Sequence, residues 1–400
     1  MSASDPHEGR AVPIPQSIGP QANRTEDRGY IVDTRRKVTF SREPRHQPPP
    51  ATAPPSARRL GRVSQPQPRN SRPGRARIYV RRFVAAVALV GMVTAAYLVV
   101  VPLRAWNAVE RVDNSPASSP AAGAGRNFLL VGSDSREGLS AAEQAELSTG
   151  PDEGGKRTDS IMIVHVSDRG SPPVIVSIPR DSYVPIPGRG NSNKINAAFA
   201  FGGARLLTET VQQATGLHID GYLEIGFGGF ARVVDSLGGV DICVARDMKD
   251  ELAGIDLKAG CQVLDGKNAL GYVRSRHSDP RGDLGRAERQ RQFLGAVMKK
   301  AATPATVLNP SRYLAFADAA SAGLIVGSDT SLGDAVAIMQ ALRAVGNGEG
   351  LSLQVPIETA ALQTKNAGVA VKWNTTQAKS LFTALRNDES LTAPPPGTAP

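Results

Sequence analysis

The sequence predicts an α/β domain of α-β-α type: a central mixed β-sheet flanked by helices, preceded by one transmembrane helix and a disordered N-terminal region. Three observations carry this expectation. The uncharged run "FVAAVALVGMVTAAYLVVVPL" follows a basic, proline-rich opening. Beyond it, short β-rich runs at 128–131, 160–166 and 174–178 alternate with helical segments and show no internal repeat. Charge is also unevenly divided. Residues 1–82 hold 17 Lys and Arg against 6 Asp and Glu, whereas 83–400 hold 30 against 31.

Residues 1–82 contain 13 of the 30 prolines and no sustained apolar period. Such a segment buries too little apolar surface to offset its conformational entropy, so it is expected to be disordered. Residues 83–103 match the length of a membrane-spanning helix. Arg72, Arg75, Arg77, Arg81 and Arg82 precede them, which places the N-terminus in the cytoplasm and the remainder outside the cell. Residues 104–125, rich in Ser, Pro, Ala and Gly, read as a linker. The folded domain is expected over 126–390 and a disordered tail over 391–400. The near-neutral domain also lacks clustered aromatics for base stacking, so nucleic acid is not an expected partner.

Strands are expected at 221–225 and 240–244. Helices are expected at 196–200, 203–215, 227–237, 286–300, 329–345 and 375–387. "DGKNALGYVRSR" reads as a short helix running into a strand. Cys243 and Cys261, eighteen positions apart on the outer side, are either one disulfide or two buried thiols.

The charged residues cluster at the ends of these elements. Asp134 follows the first strand and Asp159 begins the second, so antiparallel pairing brings the two carboxylates to one edge. There they are either a Mg²⁺ site completed by water and phosphate or strand-end caps. Arg157 lies beside Asp159, Arg180 follows the third strand, and Lys194 precedes a helix. Singly, Arg180 and Lys194 also fit ordinary surface charge.

The segment "YVRSRHSDPRGDLGRAERQRQ" holds six arginines. Arg274 and Arg276, two apart on an expected strand end, share a face. Asp283 caps the next helix, on which Arg286 and Gln290 continue the apolar stripe of Phe293 and Val297. Together these form a multidentate anion receptor suited to a diphosphate. Arg281, Arg289 and Arg291 are assigned to exposed or salt-bridged charge. His165 reads as a core residue, and His277 as a secondary pocket residue. No P-loop, nucleophile elbow or HExxH motif is present.

The stretches "NFLLVGSDSR", "RTDSIMIVHV", "VIVSIPRDSYV", "KINAAFAFGG" and "LDGKNALGYVRSRHSDPRGDLGRAERQRQ" resemble, in order and spacing, the LytR-CpsA-Psr (LCP) family of membrane-anchored cell-wall ligases. The resemblance implies a phosphotransferase that moves a glycan from a polyprenyl-diphosphate carrier to peptidoglycan, at the 6-hydroxyl of N-acetylmuramic acid, and leaves polyprenyl phosphate. It implies that Asp134 and Asp159 hold Mg²⁺. It further implies that Arg157, Arg180, Arg274, Arg276, Arg286 and Gln290 hold the diphosphate, with Lys194 in addition. Asp159, Asp134 and Arg276 are the catalytic candidates, with the general base left open between the aspartates. An apolar groove for the lipid is implied, and Ile195, Phe199, Phe227 and Phe230 are candidates either for its lining or for the core. High Ala, Arg, Gly and Pro content points to an actinobacterial glycan of arabinogalactan type. A non-catalytic regulator that binds a wall precursor, or a diphosphate hydrolase, would use the same pocket.

Overall fold

The computed structural model of the protein describes residues 74–136, 139–150, 157–275 and 283–398. The apolar run becomes the middle of a 35-residue helix, α1 (Gly74–Ala108). Between Arg77 and Ala108 it is long and apolar enough to cross a membrane, and side chains such as Phe83, Val90 and Met92 are exposed. Residues 74–82, expected to be disordered, are therefore helical. The linker expected over 104–125 is shortened at its start, because α1 runs to Ala108 and β1 (Glu110–Val112) follows at once. Helix propagation explains both extensions, since each added residue gains a backbone hydrogen bond once the helix exists.

The domain continues with β2 (Arg126–Ser133), α2 (Ala141–Glu146), β3 (Thr158–Val166) and β4 (Val174–Ile178). A short hairpin, β5 (Tyr183–Pro185) and β6 (Ser192–Lys194), leads into α3 (Ile195–Thr215). The last has non-helical backbone at Gly202 and Gly203, where φ is +61° at Gly203, so the two helices expected there are the halves of one kinked element. Next come β7 (Gly221–Ile225), α4 (Phe227–Ser236), β8 (Val240–Val244), β9 (Met248–Asp250), β10 (Ile255–Leu257) and β11 (Gly260–Leu264). They are followed by α5 (Gly266–Arg274), α6 (Asp283–Ala301), α7 (Pro304–Val307), α8 (Pro310–Gly323), β12 (Leu324–Gly327) and α9 (Leu332–Gly346). The chain closes with β13 (Leu351–Gln354), β14 (Ile357–Gln363), β15 (Val369–Trp373) and α10 (Thr375–Arg386).

Seven of these strands form one mixed sheet in the order β1-β12-β7-β2-β3-β4-β13. Its pairs are parallel at β1/β12, β7/β2 and β4/β13, and antiparallel at the others. Alternation along β2 and β3 sends Leu129, Ile161 and Ile163 to one face, where they pack with Leu207 and Val211 of α3 and Leu381 of α10. Phe128, Met162 and Val164 go to the other, against Ile338 and Leu342 of α9 and Leu294 of α6. Both faces are therefore covered, as expected of an α-β-α fold.

A second cluster gathers α4, α5 and α6 over the small strands, with Phe293, Val234 and Tyr272 at its centre. Cys243 and Cys261 stand opposite each other on β8 and β11 and are joined as a disulfide. Helices α4 and α8 touch through backbone, since a Cβ on Gly323 would lie 2.6 Å from the Gly229 Cα.

His165 is buried on β3 between Asn127 Oδ1 at 2.8 Å and Asp388 Oδ1 at 3.2 Å, and burial holds its pKa below the ordinary value. It ties the sheet to the end of α10. Residues 391–398, part of the tail expected to be disordered, also hold a place, as Leu391 packs on the main core.

Candidate active site

β2 and β3 pair antiparallel, so the end of one meets the start of the other. The Asp134 amide donates to the Arg157 carbonyl at 2.9 Å, and the Arg157 amide donates to Asp134 Oδ1 at 2.6 Å. The ladder shifts here, since Gly132 faces Ser160 but Ser133 faces Thr158, leaving Asp159 as the extra residue. Such a bulge re-aims one side chain out of the pleat. Asp159 receives Arg180 Nη1 at 2.5 Å from the end of β4.

Burial raises the Asp134 pKa above its ordinary value. The Arg157 amide pulls the other way, the neighbouring Asp159 charge adds to the rise, and Arg136 and Arg157 oppose it. Asp181 draws in Lys194 Nζ at 3.1 Å and Arg180 Nε at 3.7 Å, so both cations stay near this edge. The start of α3 docks on the same turn, with Ile195 N–H bonded to the Ser182 carbonyl at 2.8 Å.

The opposite wall comes from α5 and α6. Arg274 sits on the last turn of α5, not on a strand. Asp265 caps that helix by accepting the Asn268 amide at 2.9 Å, and Ala269, Leu270, Tyr272 and Val273 are all buried along it. The Arg274 guanidinium lies 4.7 Å from the Phe227 ring centre and donates to the Leu147 and Ser148 carbonyls at 3.3 Å. Arg276, His277 and Arg281 lie outside the described residues.

Arg286 is buried in the first turns of α6, and Gln290 donates to the Val273 carbonyl at 3.1 Å, joining α6 to α5. Arg289 and Arg291, expected to be exposed or salt-bridged charges, are buried, at 7% and 8% exposed. Arg289 Nη2 donates to the Ser275 carbonyl at 2.5 Å. Arg291 Nη1 donates to Ser177 Oγ at 3.2 Å, and burial lowers its pKa.

From this cleft an apolar groove of about 510 Å³ runs beneath the helices. Asp159, Arg274 and Gln290 stand among its lining, together with Phe227, Phe230 and Phe293. Phe230 and Phe293 hold their ring centres 5.1 Å apart. Ile195 and Phe199 lie instead in the core under α3. The groove also takes in Ser133, which the sequence reading passed over. Its hydroxyl is buried and has no hydrogen-bond partner among the described residues. The signal was present in "VGSD", a hydroxyl at a strand end beside a candidate ligand.

Among the described residues no group of three or more His, Cys, Asp or Glu gathers as a metal site. Asp134 and Asp159 are the two carboxylates that meet at this edge. Asp134 commits Oδ1 to the Arg157 amide, and the burial that chiefly raises its pKa, with the Asp159 charge adding to it, is a cost to the carboxylate that a cation would offset. Two carboxylates of this kind fit Mg²⁺, which retains water and takes its remaining oxygens from phosphate.

Strand register also fixes where the edge lies. Gly132 pairs with Ile225, Ile225 with Leu324, and Ile325 with Glu110, so the cleft lies at the same end of the strands as the C-terminus of α1.

Comparisons with known proteins agree with this architecture. A family profile described as the LytR_cpsA_psr family matches residues 103–387. The probable cell wall biosynthesis protein LcpB of Corynebacterium glutamicum is 45% identical over 303 residues, 76% of this chain and 70% of that protein. The polyisoprenyl-teichoic acid–peptidoglycan teichoic acid transferase TagU of Bacillus mycoides is 40% identical over 177 residues, 44% of this chain and 53% of that protein. The crystal structure of B. subtilis TagV superposes with a TM-score of 0.52 at 25% identity, covering 67% of this chain and 99% of that one. With a profile match across most of its length and an α-β-α fold shared with a solved relative, the chain belongs to the LytR-CpsA-Psr family.

Proposed function

We propose that the protein is a membrane-anchored phosphotransferase that moves a wall glycan from a polyprenyl-diphosphate carrier onto peptidoglycan. One observation carries the reading. A long apolar groove ends at a cleft of arginines and paired carboxylates, which is the shape of an isoprenoid joined to a diphosphate. Transferases of polyisoprenyl-linked teichoic acid among the relatives support the reaction class. The arginines that precede the apolar run of α1 support a cytoplasmic N-terminus and an extracytoplasmic domain. The composition supports an arabinogalactan-type glycan.

In the reaction, the acceptor hydroxyl oxygen bonds to the phosphorus that carries the glycan. The P–O bond to the second phosphate breaks, and polyprenyl phosphate leaves with the electron pair. Phosphoryl transfer asks the protein mainly for position and charge. Arg180, Arg274, Arg276 and Arg286 neutralise and orient the diphosphate, with Arg157 and Lys194 at the rim and Gln290 as a neutral donor. Asp134 and Asp159 would hold Mg²⁺, which when bound offsets the charge of the diphosphate oxygens. The hydroxyl proton passes to whichever aspartate oxygen is not engaged by the cation.

The test uses the full chain in vesicles with a polyprenyl-diphosphate-linked glycan and a peptidoglycan acceptor. Glycan joined to peptidoglycan and released polyprenyl phosphate are expected, with product falling about 100-fold or more in Arg276→Ala and Asp159→Ala. Phosphate release without glycan transfer would mean hydrolysis. Undiminished transfer by both variants would overturn the residue assignment.

A further inference from the structure

Helices α1 and α8 lie side by side in a fixed register. α1 ends at Ala108 and α8 at Gly323, and two residues later Glu110 pairs with Ile325 in parallel strands. The ends of the two helices are therefore level and both point the same way. The Tyr97 hydroxyl donates to the Pro310 carbonyl at 3.0 Å, and the Tyr97 and Tyr313 ring centres are 5.4 Å apart. Tyr97 lies six residues inside the uncharged run that ends at Leu103, which is about 9 Å of helix rise. Whatever surrounds α1 at that depth also surrounds the start of α8.

The chemistry of α7 and α8 matches that position. Between Lys300 and Asp318 the chain carries one charge, Arg312. Leu308 and Leu314 are 65% and 43% exposed, beside an anchor that is itself exposed and apolar. Arg312 has the length to extend its head toward the phosphate layer. The groove opens in this direction, since its lining includes Pro102 and Trp106 of α1 and Tyr313, Phe316, Ala317 and Ala320 of α8.

We propose that the α7–α8 segment is immersed in the outer leaflet, and that the gap between α1 and α8 is a side door through which an isoprenoid tail passes from the bilayer into the groove. The immersion stands on the helix register and on α1 spanning the bilayer, whereas the choice of leaflet and the passage of an isoprenoid rest on the function proposed above. The lipid meets the site without leaving an apolar medium. Leu308 and Leu314 hold the door at the right depth, while Trp106 lines its threshold.

The full chain, carrying a single added cysteine at Leu308, Leu314 or Val369 and labelled with an environment-sensitive dye, is reconstituted in phosphatidylcholine–phosphatidylglycerol vesicles. The native pair is already joined. Val369 is an exposed control on the β14–β15 hairpin that follows β13, at the sheet edge opposite β1. Blue-shifted emission and quenching by nitroxide lipids are expected at 308 and 314 and not at 369. Equal quenching at all three positions would overturn the immersion.

The Leu308→Asp/Leu314→Asp variant then separates entry from chemistry. Transfer from a bilayer-resident polyprenyl donor is expected to fall about tenfold or more, because the apolar contact with lipid is lost. Transfer from a water-soluble geranyl-diphosphate donor is expected to stay unchanged. Equal rates on both donors, or equal losses, would overturn the side door. If the unaltered protein transfers from neither donor, the proposed function fails, while the dye still decides the immersion.

Discussion

Replacing Gly229 by Ala tests whether the contact between α4 and α8 is as close as it looks. A Cβ at Gly229 would stand 2.6 Å from the Gly323 Cα, nearer still to the Gly323 carbonyl oxygen, and 2.8 Å from its carbon. Carbon pairs rest at about 3.5–4.0 Å, so the helices must part by roughly 1 Å. Overpacking of this kind costs about 1–3 kcal/mol. Relief of glycine's helix penalty returns about 0.5–1 kcal/mol. The net loss is centred on about 1 kcal/mol and reaches at most about 2.5 kcal/mol, and the central value corresponds to a fall in Tm of about 2–4 °C. Gly333→Ala is the matched control, because it is exposed in the first turn of α9 and meets only Ser331 Oγ at 3.5 Å. Its Tm should hold or rise. Thermal unfolding of the three proteins in one detergent decides the matter. A Gly229→Ala protein as stable as the Gly333→Ala control would refute the close packing. Because α8 walls the groove, the same substitution should also weaken binding of a long polyprenyl phosphate more than that of a short one.

Two further substitutions probe the disulfide and the carboxylate pair. Cys243→Ser/Cys261→Ser opens a loop closed across 18 positions, which removes about 3 kcal/mol of loop-closure stabilisation; the midpoint in urea should drop, and reductant should lower the unaltered protein to the same value. Asp134→Asn removes a carboxylate whose folded-state pKa is raised, chiefly by burial. The charged form costs stability above that raised pKa, and the cost disappears as pH falls through the ordinary value of 3.8. The variant should therefore melt higher than the unaltered protein at pH 7, lose that advantage toward pH 3, and transfer no glycan. A lower Tm at pH 7 would contradict the strained-carboxylate account.

Much of the site was legible because the charged residues sit at the ends of apolar runs. Asp134 and Asp159 needed only that β2 and β3 be antiparallel neighbours to meet, whereas the turn "SDRGSPP" announces the next pair, β3 with β4, and so brings Arg180 to the same end. What period alone does not decide is a four-residue apolar run. "LGYV" before Arg274 reads equally as strand or helix, and the Asp265 cap with helical packing decided it. The reasoning that placed Arg286 in the cleft, a basic residue prolonging an apolar stripe, also applies to Arg291. It stands three and seven positions before Leu294 and Met298, both of which pack toward the sheet. The bulge at Asp159 and the register of α1 with α8 depend on partners far along the chain, so no local pattern announces them.

The strand β1 begins two residues after α1 ends, and it is hydrogen-bonded into the main sheet. That leaves no swivel between anchor and cleft. With α1 in a bilayer, five residues of helix and two of extended chain from Leu103 set the cleft edge roughly 10–15 Å above the hydrocarbon. The enzyme has a working height and cannot reach upward from it. Under the function proposed above, an acceptor strand must be delivered to that height, so the fold would select for wall material lying against the membrane over the same chemical groups in layers farther out.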